Sequence, residues 1–161
     1  MSTLPLLLIV SLTNPPGPLN QGHTDGLWEF VQTLVGHKDP PPLVYFTSEE
    51  EPPISTKFLA FYYEHTNIIR ITPRALRWGL SDGISTGYVY LILGHEMLHY
   101  ALVDRVPVQQ HHCLFVQEHY REQIAAFLVQ NGIGHPFLQV MREAADGCEA
   151  GTAASPAFDR P

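Results

Sequence analysis

The residues best suited to chemistry lie in one short run, Gly94-His95-Glu96-Met97-Leu98-His99, which forms an HExxH motif. On a helix, His95 and His99 lie one turn apart, so both imidazoles can reach a single metal ion. Glu96 lies slightly further round the helix, where its carboxylate can accept a proton from a water molecule at the metal. Zinc suits such ligands and lowers the pKa of water towards neutrality, so the motif predicts metal-assisted hydrolysis.

The sequence around the motif strengthens the metal interpretation. Leu91-Ile92-Leu93 precede the motif, and Ala101-Leu102 follow it. A carboxylate and two imidazoles in so apolar a stretch are costly to bury unless they are paired or bound to metal. We therefore expect these three polar side chains to form a zinc site.

With this motif the chain resembles the zincin metallopeptidases, and specifically their small gluzincin-like members. The resemblance spans roughly residues 43–130, and HExxH is the specific motif within that span. It implies that His95 and His99 bind zinc and that Glu96 is the general base. It also implies a β-hairpin before the motif helix, a second helix with the third ligand, and a peptide substrate extended along one hairpin strand.

The third zinc ligand has several candidates. Metzincins require a histidine six residues after His99, and Arg105 stands there, so that group is excluded. Gluzincins often place a glutamate after eighteen intervening residues, and Glu118 occupies that position. Glu122, one turn further on, resembles the acidic residue that braces a ligand histidine in that group. Glu118 is therefore our first choice.

SprT-like proteases provide the alternative, because their third ligand histidine opens the second helix in an HGxxF pattern. His111-His112-Cys113-Leu114-Phe115 keeps His and Phe at that spacing but has His in place of Gly. On one continuous helix, His111, Glu118 and Glu122 share a face, and His112 can bind instead if the helix begins one residue later. His111 or His112 is thus the alternative third ligand, with Glu122 or solvent as further options.

Hydrophobic periodicity predicts the helices that must position these residues. After Ser81-Asp82-Gly83, apolar residues and both motif histidines recur at i, i+3 and i+4 as far as Leu102, which predicts a helix. Pro107 ends that pattern. A second helix is predicted from about Gln110 to Gln130, with Asn131-Gly132 as its stop.

Proline-rich breaks and apolar runs predict the remaining elements. A strand is predicted over Leu43–Phe46, and Lys57–Tyr63 with Ile68–Thr72 predicts a hairpin. Further predictions are a first strand (or an export signal) over Leu4–Leu12, a helix over Leu27–Val35 capped by Thr24 or Asp25, and a short helix over Phe137–Ala145. This order predicts a small α+β domain over residues 1–145. The resemblance implies that this domain is zincin-like, with a short mixed sheet and its β-hairpin packed on the HExxH helix. Residues 146–161 are predicted to be a flexible tail.

Composition excludes several classes of protein. The chain has 161 residues and a net charge of −7, without a basic cluster, so we expect no direct nucleic-acid binding. No apolar run is long enough to span a bilayer, so we expect no membrane association. Cys113 and Cys148 do not form a disulfide framework, and we expect two free thiols in the reducing cytoplasm.

The function predicted from sequence is a zinc-dependent metallopeptidase that hydrolyses peptide bonds in a peptide or protein substrate. Peptide deformylases also contain HExxH, but their glycine-rich and cysteine-bearing motifs upstream of the helix are missing from this sequence. The alternative is a non-catalytic zinc-binding or regulatory domain on a peptidase-like scaffold. The intact Glu96 favours the enzyme, because a structural metal site needs no base.

Overall fold

The computed structural model describes residues 21–46, 60–72 and 83–134. Within these residues the elements are α1 (Gln21–Val35), β1 (Leu43–Phe46), β2 (Ala60–Tyr62), β3 (Ile68–Ile71), α2 (Gly83–Leu102), α3 (Val108–Gln117) and α4 (Tyr120–Gln130). This confirms the predicted α+β class. The predictions for Leu4–Leu12, for Phe137–Ala145 and for the tail at 146–161 fall outside the described residues.

The described strands form one mixed sheet in the order β1-β3-β2. β1 runs parallel to β3, and β2 pairs with β3 in antiparallel register, as the predicted hairpin requires. Ile69 and Ile71 of β3 are buried, and both β2 and β3 contact α2. The strand at Leu43–Phe46 and the packing of the hairpin on the motif helix are therefore confirmed.

Helix α2 is the central element among the described residues. Every residue from Thr86 to Leu102 is buried, because α1, α3, α4 and the hairpin all pack against this helix. Gly94 permits one of these contacts: a Cβ at this position would lie 3.0 Å from Cγ2 and 3.2 Å from Cδ1 of Ile124 on α4. The motif thus lies on a helix that is fixed from several sides.

The C-terminal end of α2 is tied to the segment that follows α1. Arg105 donates hydrogen bonds to the carbonyls of Val35 and, at 2.6 Å, of His37. Lys38 Nζ donates to the carbonyl of Tyr100 and to Asp104 Oδ2, both at 2.7 Å. These contacts hold the turn that leads from α2 into α3.

The prediction of one continuous second helix is wrong. α3 ends at Gln117 and α4 begins at Tyr120, with His119 between them in the left-handed region at φ 56°. An L-residue in that conformation cannot continue a right-handed helix, so the chain changes direction. The face expected to carry both His111 and Glu122 is therefore interrupted before Glu122.

Two smaller expectations are also corrected. α1 begins at Gln21, so Thr24 and Asp25 lie inside the helix and do not cap it. Cys113 is disulfide-bonded, which contradicts the prediction of a free thiol. Because disulfides persist in oxidising compartments, the argument for a reducing compartment loses its basis. Cys148 lies outside the described residues.

None of the described helices combines the length with the apolar character that a bilayer crossing requires.

Candidate metal centre

Helices α2 and α3 bring three imidazoles together. His95 and His99 lie one turn apart on α2, and His112 approaches them from α3. One ring nitrogen from each of the three lies within 4.8 Å of the others. The ring centroid of His112 is 4.9 Å from that of His95 and 4.8 Å from that of His99. The three side chains therefore converge on one point.

The donor set fits zinc. His95 Nε2 and His99 Nε2 are 3.0 Å apart. Two nitrogens bound tetrahedrally to one zinc at about 2.0–2.1 Å lie roughly 3.3 Å from each other, so a shift of a few tenths of an ångström suffices. Imidazole is also a preferred zinc ligand, and three histidines are a known catalytic set.

The site is shielded from solvent. His95 and His99 are each 6% exposed, and His112 is 7% exposed. The ring of Phe115 packs edge-on against His95 with the centroids 4.6 Å apart. Polar groups in such surroundings are costly without partners, and interactions with a bound cation are screened less than in water.

Glu96 lies in the same buried section of α2. It follows His95 directly, precedes His99 by one helical turn, and is 2% exposed. Residues three apart on a helix are neighbours, so the carboxylate belongs to the helical surface that carries the ligands. That Glu96 acts as a base beside the metal stays a prediction.

Glu118, our first choice for the third ligand, is not part of the group. It is exposed, and it follows the last residue of α3, where its backbone N–H donates to the carbonyl of Leu114 at 2.9 Å. The physical reason is its position on the helical path, because Glu118 follows His112 by six residues and so points about 120° away from it round the helix axis. The geometry favours the alternative, His112.

Glu122 is engaged on α4. Its Oε1 accepts hydrogen bonds from Nε and Nη2 of Arg121, which is buried, and Oε2 lies 3.9 Å from His119 Nδ1. Burial raises the pKa of this carboxyl, but the hydrogen bonds and the positive charge of Arg121 bring it below its ordinary value. Glu122 thus forms an ion pair outside the histidine group.

His111, the other alternative ligand, has a different environment. It is 3% exposed, its Nε2 lies 2.7 Å from the carbonyl oxygen of Val106, and its Nδ1 lies 2.9 Å from His99 Nδ1. The sequence offered His111 as an alternative ligand or as an exposed residue at the start of a helix, and neither expectation included this buried contact with His99. The sequence did contain one signal. Adjacent residues on a helix point about 100° apart and rarely reach the same ion, so only one of His111 and His112 was expected to bind it.

Comparisons of the chain with protein-family models, with curated proteins and with solved structures find no match. The resemblance to zincins is therefore still carried by the HExxH motif. The remaining support for a metal site comes from the positions of His95, His99 and His112.

Proposed function

We propose that the protein is a zinc-dependent metallopeptidase of zincin-like architecture, in which His95, His99 and His112 hold the metal. The observation that carries this proposal is the convergence of three buried imidazoles around an HExxH helix. Catalytic zinc sites have three protein ligands and an open fourth position, whereas structural sites have four protein ligands. Three ligands from the described residues therefore support a catalytic site.

Glu96 supplies the acid–base chemistry. Bound zinc provides a Lewis acid that polarises the scissile carbonyl and lowers the pKa of water. Glu96 takes the proton from the attacking water and returns it to the leaving amine. Because Glu96 shares a helix with two ligands, its backbone is held at a fixed position relative to theirs.

The substrate in this proposal is a peptide or protein in extended conformation. β2 pairs with β3 along one side and is an edge of the described sheet. Its contact with α2 places this edge beside the motif helix. An extended peptide can add to such an edge through main-chain hydrogen bonds.

One observation favours a second candidate, a closed zinc site in a non-catalytic domain. The three histidines and Glu96 are between 2% and 7% exposed, which suits a structural metal better than one that must meet a substrate. The two candidates differ in the role of Glu96, since only the enzyme needs its carboxylate for turnover.

The test compares the wild type with Glu96→Gln on fluorescein-labelled casein and on a fluorogenic peptide library of mixed sequence. We expect equal zinc content and a loss of cleavage of at least about 100-fold in the variant, the usual contribution of a general base. Glu118→Gln is the matched control, and it should cleave like the wild type because Glu118 is exposed outside the site. Zinc-loaded wild-type protein without cleavage would favour the closed site, and equal cleavage by Glu96→Gln would overturn the role of Glu96 as the base.

A further inference from the structure

His111 is buried beside the proposed ligand His99, although it is not one of the three converging histidines. We propose that His111 is a positioning residue that fixes the tautomer and the orientation of His99. The inference rests on the proposed metal site, but it does not depend on peptidase activity. It follows from a chain of contacts that runs from a backbone carbonyl to the metal-facing nitrogen.

The first contact fixes the proton on His111. Its Nε2 lies 2.7 Å from the carbonyl oxygen of Val106, which can only accept a hydrogen bond. Nε2 must therefore carry the proton and donate it. In a neutral imidazole this leaves Nδ1 of His111 without a proton, as an acceptor.

The second contact transmits this choice to His99. The two Nδ1 atoms are 2.9 Å apart, so His99 Nδ1 must donate to the acceptor on His111. The lone pair of His99 then lies on Nε2. This is the nitrogen 3.0 Å from His95 Nε2, and a metal ligand must be unprotonated at that atom.

The fold holds the Val106 carbonyl, where this series of contacts begins, in place. Val106 belongs to the turn between α2 and α3, and its N–H donates to the carbonyl of Leu102 at 2.9 Å. Arg105, the preceding residue, is hydrogen-bonded to the segment after α1. A ligating histidine is usually oriented by a carboxylate, a carbonyl or water. Here the carbonyl of Val106 acts on His99 through the imidazole of His111. Because His111 is buried, solvent does not replace these hydrogen bonds.

Two matched substitutions test the two ring nitrogens of His111 separately. His111→Asn places an amide oxygen near the position of Nδ1, so it keeps the acceptor towards His99 and loses the bond to Val106. His111→Gln places an amide nitrogen near the position of Nε2, so it keeps the donor towards Val106 and loses the acceptor. Zinc affinity, measured by competition with a chelating dye, should fall about 10- to 100-fold in His111→Gln and clearly less in His111→Asn. A role limited to tying down the Val106 turn predicts the opposite order.

Nitrogen-15 NMR of the wild type gives a second readout that needs no variant. In the zinc-loaded protein, His111 should carry its proton on Nε2 and His99 on Nδ1. A proton on His111 Nδ1 would overturn the inference, and so would equal zinc affinities in the two variants. Loss of zinc in both variants as complete as in His99→Ala would also overturn it. Wild-type protein that binds no zinc would instead overturn the metal site itself. If circular dichroism shows that either variant fails to fold, the tautomers of His99 and His111 in the wild-type protein decide whether the inference holds.

Discussion

At the scale of single residues, His111 and His112 are neighbours in the chain with different partners. His112 faces both histidines of the HExxH motif, whereas His111 contacts the Nδ1 side of His99 and the carbonyl of Val106. The difference follows from the angle of about 100° between consecutive residues on a helix. One side chain is thereby available to the metal, and the other is available to orient a ligand.

Tyr62 gives a prediction for alkaline pH. Burial is the largest cause that raises the pKa of its phenol, to about 12 from 10.0, and the negative charges of Asp104 and Glu64 act in the same direction. The neutral phenol is therefore favoured in the folded state, so its contribution to stability is complete below pH 10 and is lost between about pH 10 and 12. The free energy of unfolding in urea should fall over that range.

The matched variant is Tyr62→Phe, which has no proton to lose. Its free energy of unfolding should decline less steeply over the same pH range, while Tyr100 and Tyr120, whose pKa values burial also raises, still contribute. An identical decline in wild type and variant would contradict this assignment, and titration of the tyrosinate absorbance provides an independent check.

At the scale of elements, the approach of α4 to α2 depends on Gly94. A Cβ at this position would lie 3.0 Å and 3.2 Å from two atoms of Ile124, and 3.5 Å from Leu27 Cδ1. Both neighbours are fully buried, so neither can move away easily. This contact links the core to the residue that directly precedes His95.

Gly94→Ala should therefore destabilise the protein, although alanine is the better helix former. Overpacking costs about 1–3 kcal/mol, and the gain in helix propensity is about 1 kcal/mol, so we expect a net loss of about 1 kcal/mol. The control is Gly26→Ala on α1, where a Cβ would meet only Phe127 Cζ at 3.9 Å, an ordinary contact. That variant should be as stable as the wild type or more stable. Urea unfolding measures both, and a stabilised Gly94→Ala would show that α4 packs less tightly.

The elements that sequence predicted well are those with strong local signals. Leu43–Phe46, bracketed by prolines, forms β1 at the predicted bounds, and periodicity identified α2. The break at His119 had no such signal, because neither glycine nor proline marks it. Packing of Ile124 and Leu128 against the rest of the core accompanies the change in direction there. The third ligand had no decisive local signal either. The side of α3 that faces the motif histidines depends on where this helix begins.

At the scale of the whole molecule, the proposed metal joins two helices that the chain connects through a turn. α2 lies among α1, α4 and the hairpin, while α3 adds His112 from one side. Zinc bound to both α2 and α3 would stabilise the native state. The gain in the free energy of unfolding would grow with the ratio of the free zinc concentration to the dissociation constant of the site. Under the proposed function, metal binding and folding would thus be coupled through the HExxH helix.

The most direct test is the zinc content of dialysed protein by elemental mass spectrometry, for the wild type, His112→Ala and Glu118→Ala. We predict about one zinc per chain in the wild type and in Glu118→Ala, and a large loss in His112→Ala, because among the described residues it is His112 that joins the two motif histidines. Negligible zinc in the wild type after incubation with the metal would contradict the metal site. Zinc retained in His112→Ala but lost in Glu118→Ala would contradict the choice of His112 as third ligand.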